Sequence, residues 1–300
     1  MKTNKENWVD RINRVPRAQW KLLGIGGFGK VFQVKETDGT IVAIKMVGGF
    51  GTLQYYKKGI ESIKREYDIL INLENPRIMK VFGFVLDEER VEAYLIMEFM
   101  ESGSLQQMLD EKQKLEDSTA LKILHQILEG IAFLHDLDLY HSDIKPANIL
   151  LKKNGDAVLS DFGISVSKQT VTRATGADIK GDVHYCCPEI LHGKPRGAAN
   201  DCWSIGATLV HMVTGKVLNH TQNMLTAISM IGNYDILYDG QPLQQALEKM
   251  PPNYFVRVIL SNTLCKPEAR ASPRDLLQIC ELNQSKVYFD QGVYIYIHWF

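Results

Sequence analysis

A lysine inside an apolar strand run must find an anion, because an uncompensated ammonium among apolar neighbours is costly. Val42-Ala43-Ile44-Lys45 is such a run. Alternate strand residues share a face, so Lys45 lies on the face of Ala43, opposite Val42 and Ile44. Its partner can be a phosphate, a carboxylate or both. Downstream, Glu66 in Lys64-Arg65-Glu66-Tyr67 is the best placed carboxylate, one helical turn before Leu70, with Glu61 as its competitor. Upstream lies the glycine-rich stretch Gly24-Ile25-Gly26-Gly27-Phe28-Gly29-Lys30-Val31. Glycines there let backbone N–H groups come close to phosphate. The stretch runs into another strand, Val31–Val34, instead of a helix. That disfavours a dinucleotide-binding fold and favours a loop lying over a nucleotide.

The densest polar cluster is Tyr140-His141-Ser142-Asp143-Ile144-Lys145-Pro146-Ala147-Asn148, followed beyond an expected hairpin (Leu150–Leu159) by Asp161-Phe162-Gly163. An incidental polar loop would account for any one of these residues, but not for their order. Further along stand Pro188-Glu189, Asp201-Cys202-Trp203-Ser204-Ile205-Gly206 and Arg270. On these motifs the chain resembles the eukaryotic-type protein kinase family from about Trp20 to Cys280. The runs Asp161–Val166 and Trp203–Met212 look most like the MAP kinase kinase kinase group.

The resemblance implies an α+β, two-lobed fold and transfer of the γ-phosphoryl group of ATP, with Mg²⁺, to serine or threonine hydroxyls of proteins. It implies that Asp143 accepts the hydroxyl proton, that Lys145 stands near the γ-phosphate, and that Lys45 pairs with Glu66. Asn148 and Asp161 become the Mg²⁺ ligands, hard oxygen donors suited to that ion. Gly24, Ile25, Gly26, Gly27, Phe28, Gly29, Val31, Ala43, Lys45, Met97, Glu98, Met100 and Leu150 would surround the nucleotide. Met97 would be the gatekeeper, and the backbone at Glu98 and Met100 would meet the adenine edge. Leu70, Val81, Phe162 and His141 would form a buried column. Glu189 and Arg270 would form a largely buried ion pair.

Two positions depart from that pattern. Ser142 stands where the resemblance implies an arginine that gathers a phosphorylated loop through charge-assisted hydrogen bonds. Serine lacks that capacity, so activity should depend little on phosphorylation within Ile164–Gly181, where Thr170, Thr172 and Thr175 are the candidate sites. Asp182 stands where a threonine is implied; its carboxylate could accept from Lys145 and would lie near Asp143. These departures motivate a second reading, a nucleotide-binding pseudokinase acting as scaffold or allosteric partner.

The elements that must position these groups follow from periodicity. Short β-like runs at Trp20–Leu23, Lys30–Val34, Thr40–Val47, Met79–Leu86 and Glu92–Met100 surround one amphipathic helix, Tyr55–Leu73, ended by Pro76. Helical patterns follow at Ser118–His135, Ser204–Thr214, Leu243–Met250, Tyr254–Leu264 and Pro273–Cys280. The expected organisation is an N-terminal extension at 1–19, an N-lobe at 20–101, a C-lobe at 102–282 and an aromatic tail at 283–300. The extension could pack on the small lobe. Alternation in Val293–His298 suggests a strand in the tail, which is a candidate site for a regulatory partner.

Composition limits the other classes. A net charge of −1 supplies no basic field for nucleic acid or an anionic membrane. Five cysteines without a C-x-x-C pair argue against a disulfide framework or a zinc site. The polar N-terminus is not a secretory signal, and no apolar run suits a membrane span. A cytoplasmic protein with protein substrates is the expectation.

Overall fold

The computed structural model describes residues 8–26, 29–48, 53–168, 182–219, 224–233, 237–238, 241–242 and 254–286. The chain divides into two compact units. One comprises 1–108 and 146–165, the other 109–145 and 166–300.

The first unit is built on an antiparallel five-stranded sheet of β1 (Lys21–Ile25), β2 (Lys30–Lys35), β3 (Ile41–Gly48), β4 (Val81–Asp87) and β5 (Glu92–Glu98), in the order β1-β2-β3-β5-β4. Every residue from Ala93 to Met97 is buried, as a strand covered on both faces requires. The register sets Val31 opposite Lys45 and Ala43 opposite Met97. One face of the sheet contributes Val34, Val42, Ile44, Val85, Tyr94 and Ile96 to a core completed by Ile12, Val15 and Trp20. The N-terminal extension therefore packs on the sheet. Helix α1 (Trp8–Asn13) lays Trp8 over Phe82, with ring centroids 6.0 Å apart, and Trp8 Nε1 donates to the Phe82 carbonyl at 3.0 Å. A Cβ at Gly83 would collide with the Trp8 ring. Arg11 pairs with the buried Glu36, and Trp20 Nε1 donates to the Val15 carbonyl at 3.2 Å.

Helix α2 (Leu53–Leu70) buries Gly59, Ile63, Glu66 and Leu70, a stripe at helical spacing, while Glu61 is exposed. The helix stops at Leu70, short of the expected Leu73. Asn75 Oδ1 accepts the Arg77 N–H at 2.8 Å, an Asx turn around Pro76 that takes the chain out of the helix. The hairpin of β7 (Ile149–Leu151) and β8 (Ala157–Leu159) also belongs to this unit. It joins the rest through Met79 N to the Leu159 carbonyl (2.9 Å) and Leu159 N to the Arg77 carbonyl (2.8 Å). Helix α3 (Leu105–Lys112) has residues in both units.

The second unit is mainly helical. It contains α4 (Asp117–Asp136), α5 (Pro188–Leu191), α6 (Ala198–Thr214), α7 (Met224–Gly232), α8 (Tyr254–Thr263) and α9 (Pro273–Lys286). Its short strands are β6 (Leu139–Tyr140) paired with β9 (Val166–Ser167), and Leu237–Tyr238 paired with Gln241–Pro242. Helix α6 is buried continuously from Asn200 to Met212, as its all-round apolar sequence requires. A Cβ at Gly206 would meet Thr263 Oγ1, so glycine allows α6 and α8 to approach closely. Arg270 grips Glu189 in a fork, at 2.6 and 3.1 Å, and both side chains are almost fully buried. All five cysteines are free thiols. No described helix is long and apolar enough to cross a membrane. The helix expected at Leu243–Met250 and the strand expected at Val293–His298 lie outside the described residues.

Candidate active site

The first unit assembles a charge cluster from three distant segments. Lys45 leaves β3 on the face of Ala43, as the alternation requires. Glu66 comes from the buried stripe of α2. The ammonium sits 2.8 Å from Glu66 Oε2 and 2.9 Å from Asp161 Oδ1, so Lys45 has two carboxylates, one buried and one half-exposed. The other Glu66 oxygen accepts the Phe162 N–H at 3.3 Å. Burial alone would lower the Lys45 pKa, but the attraction of Glu66 and Asp161 outweighs it and holds the amine above its usual value. Burial also pushes Glu66 upward, against the pull of Lys45. With an ammonium on one oxygen and an amide on the other, the pair is ionised.

The β7–β8 hairpin places the two expected metal ligands. Ile149 pairs with Leu159, so Asn148 and Asp161 flank the open end of the hairpin, where Ser160 N and Oγ donate to the Asn148 carbonyl at 2.9 and 3.0 Å. Asp161 has φ +61°, the left-handed region that non-glycine residues seldom occupy. Among the described residues no group of three or more His, Cys, Asp or Glu side chains forms a metal cage. One carboxylate and one amide oxygen at a hairpin mouth suit Mg²⁺, which completes its shell with water and phosphate oxygens.

The expected nucleotide surface also lies in this unit. Gly26 N donates to the Gly29 carbonyl at 2.8 Å, closing the glycine-rich turn. A Cβ at Gly29 would run into the Met46 carbonyl, so that glycine is sterically required. Ile25 is exposed, Ala43, Met97 and Met100 are buried, and Val31 and Leu150 are half-buried. The Glu98 N–H is taken by the Lys80 carbonyl at 2.9 Å. Gly27 and Phe28 lie outside the described residues.

The second unit carries Asp143 and Lys145, whose charged ends meet at 2.9 Å. Their loop is held from α6. Asp201, fully buried, accepts from His141 N (2.9 Å), Ser142 N (2.7 Å) and His135 Nε2 (2.9 Å). His141 is fully buried, and its Nδ1 accepts the Asp143 N–H at 3.3 Å. It is a packed, bonded histidine and not a second base. Leu70, Val81 and Phe162 of the expected column are likewise buried, within the first unit.

Asp182 does not take the place expected for it beside Lys145. Its Oδ1 accepts the His184 N–H at 3.1 Å and caps the short turn Val183–Tyr185. Asp is a natural cap because its carboxylate satisfies an amide that the turn leaves open. Asp143 and Asp182 line one small pocket together with Ser142, Tyr185, Cys186 and Arg196. Burial pushes the Cys186 thiol up to about 11 and Cys187 higher still, so neither is a nucleophile near neutral pH. Thr170, Thr172 and Thr175 lie outside the described residues. Sequence reasoning missed Arg196 and the clamping role of Asp201. Arg196 belongs to no motif, and Asp201 looked like the start of a helix.

Residues 18–279 match the model of the protein kinase domain. Human mitogen-activated protein kinase kinase kinase 3 is 35% identical over 199 residues, covering 65% of this chain and 32% of that protein. The Aurora kinase of Schizosaccharomyces pombe is 36% identical over 196 residues, covering 65% of this chain and 53% of its own length. Cytokinesis protein sepH of Emericella nidulans is 30% identical over 260 residues, 85% of this chain and 18% of that protein. The chain thus spans from under a fifth to about half of these relatives. Its matched length, its ordered motifs and the Lys45–Glu66–Asp161 cluster agree, and the chain belongs to the eukaryotic-type protein kinase family, with serine/threonine kinases of the MAP kinase kinase kinase kind among its relatives.

Proposed function

We propose that this chain is an active serine/threonine protein kinase that transfers the γ-phosphoryl group of ATP to protein hydroxyls in cytoplasmic signalling. The observation that carries the reading is the ion cluster of Lys45 with Glu66 and Asp161. Phosphoryl transfer needs positioned charge more than covalent chemistry, and this cluster supplies positioned charge. Mg²⁺, held by Asp161 and Asn148, would neutralise charge on the phosphates. Lys45 would hold the nucleotide phosphates, and Ala43, Val31, Leu150 and Met97 would line the base pocket. Asp143 would accept the proton of the attacking serine or threonine hydroxyl, with Lys145 balancing charge beside it. Lys145 supports the serine/threonine preference, as does the similarity to mitogen-activated protein kinase kinase kinases. The 1–19, 20–101, 102–282 and 283–300 organisation remains our division of the chain, with the tail as a candidate partner site.

The test is transfer from ATP·Mg²⁺ to a protein rich in serine and threonine, with product sites mapped by mass spectrometry, for the wild type and Asp143→Ala. Loss of the base should slow transfer by about 10²–10⁴-fold. Equal rates would sink the reading. ATP-dependent thermal stabilisation without any transfer would point instead to the scaffold role that Ser142 and Asp182 first suggested.

A further inference from the structure

Ser142 is held in an unusual way. Its φ is +68°, in the left-handed region, and its Oγ is buried without a hydrogen-bond partner. The side chain therefore does little to fix the loop, and the two flanking peptides are fixed from outside. The peptide before Ser142 gives its N–H to Asp201 Oδ1 at 2.7 Å. The peptide after it, which carries the amide of Asp143, accepts at its carbonyl from Arg196 Nη1 at 3.0 Å. One short segment, Arg196–Asp201 at the start of α6, supplies both contacts.

Arg196 is only 9% exposed, although it carries a full charge. It lines the same pocket as Asp143 and Asp182, and among the described residues it is the cationic side chain on that lining. The pocket has about 20 Å³ of free room, enough for about one water. A guanidinium with fixed donors holds a carbonyl more rigidly than a flexible ammonium does. Arginine is absent from position 142, yet an arginine still reaches this loop, from position 196.

We propose that Arg196 is a positioning residue for proton acceptance by Asp143: by holding the Ser142 carbonyl it keeps the left-handed turn that presents the carboxylate. This rests on the kinase reading for its catalytic consequence, but the clamp itself can be read without catalysis.

The experiment compares wild type, Arg196→Met and Arg196→Lys in the full chain by three readouts: kcat with KM for ATP, amide hydrogen exchange at Ser142 and Asp143, and the urea unfolding midpoint. Methionine should lower kcat by about 10–100-fold, the scale expected when a reacting group is misplaced by about 1 Å. KM for ATP should stay within about twofold, because Lys45, Glu66 and Asp161 belong to the other unit. Exchange at the two amides should rise about tenfold as the loop opens locally. Lysine, which can still donate to the same carbonyl, should recover part of kcat and part of the protection. The proposal is overturned if the methionine variant keeps kcat within about twofold and its exchange is unchanged. It is also overturned if kcat, ATP affinity and the unfolding midpoint all fall together with no rescue by lysine, which is the signature of a general packing role. If the wild type transfers no phosphate, the kinase reading fails. The exchange comparison then decides the clamp alone, with unchanged exchange in Arg196→Met counting against it and faster exchange reversed by lysine supporting it. If the methionine variant does not fold, the lysine variant decides: a several-fold lower kcat with faster exchange at the two amides and normal ATP affinity supports the clamp, and kcat and exchange both within about twofold of wild type, or kcat and ATP affinity falling together, overturn it.

Discussion

The polar groups of the two candidate site regions, one in each unit, are held by different physics. In the first, Lys45, Glu66 and Asp161 fix one another as side-chain ions at 2.8 and 2.9 Å. In the second, the loop carrying Asp143 is fixed through its backbone, with peptide groups bonded to Asp201 and Arg196. Ions that satisfy each other can in principle be exchanged together for something else. Peptide N–H and C=O groups cannot be substituted away, so whatever satisfies them is irreplaceable once buried. The first arrangement suits a site that must hand its lysine to arriving phosphates. The second suits a loop that must keep one shape through turnover.

The sharpest way to break this comparison is Asp201→Ala. It leaves three buried donors, His141 N, Ser142 N and His135 Nε2, without their shared acceptor. Each orphaned donor costs about 1–3 kcal/mol, so a loss of about 4 kcal/mol in unfolding free energy is expected from urea titration. A loss below about 1 kcal/mol would mean that water serves these amides, and the loop would not be clamped as described. Next in size is Lys45→Met, which strands the buried Glu66 and should cost about 3 kcal/mol. Adding Glu66→Leu should return the unfolding midpoint to within about 1 kcal/mol of wild type, since replacing a whole buried ion pair with apolar groups is often neutral. Phosphoryl transfer should be lost in both variants. A double variant as unstable as the single one would show that the first unit also depends on backbone satisfaction, and the contrast would fall.

The same contrast explains what was legible in the sequence. Side-chain ions announce themselves. A lysine in an apolar strand and a glutamate on the following helix break the local apolar pattern, and they pair as expected; Asp161, expected as a metal ligand, joins them at 2.9 Å. Glu189 and Arg270, far apart in the chain, form the ion pair that the family resemblance implied. Backbone clamps leave no such trace. Nothing in Lys194-Pro195-Arg196-Gly197 indicates that Arg196 will reach the carbonyl of Ser142. Asp182 looked like an extra charge beside the base because its alternative partner is an amide, His184 N, which every non-proline residue carries. The N-terminal extension is an intermediate case. The sequence left open whether this segment packs on the small lobe, and only the sheet face that Ile12, Val15 and Trp20 cover, with Gly83 cleared for the Trp8 indole, identifies what it packs against.

The smallest expected effect concerns pH and belongs to the second unit. His211 on α6 is 9% exposed, and its Nδ1 is bonded to the Tyr185 hydroxyl at 2.7 Å. Burial lowers its pKa below the usual 6.5, with Asp110 and Asp182 opposing and His184 adding to the shift. A histidine whose folded pKa is depressed binds its proton less readily folded than unfolded. Its contribution to stability is therefore complete above about pH 6.5 and declines as pH falls from there towards the folded value. Protonation would also fix Nδ1 as a donor, so the Tyr185 hydroxyl would have to accept from it. Unfolding midpoints measured in urea at pH 7.5 and at pH 5.5 (about one unit to either side of the reference pKa) should drop more on acidification in the wild type than in His211→Asn. Equal drops would mean that acid acts elsewhere and that the Tyr185–His211 contact tolerates the proton. A larger drop in the variant would show that the surrounding carboxylates, Asp110 and Asp182, dominate the histidine's desolvation. The second unit's polar contacts would then be governed by mutual charge, as those of the first unit are.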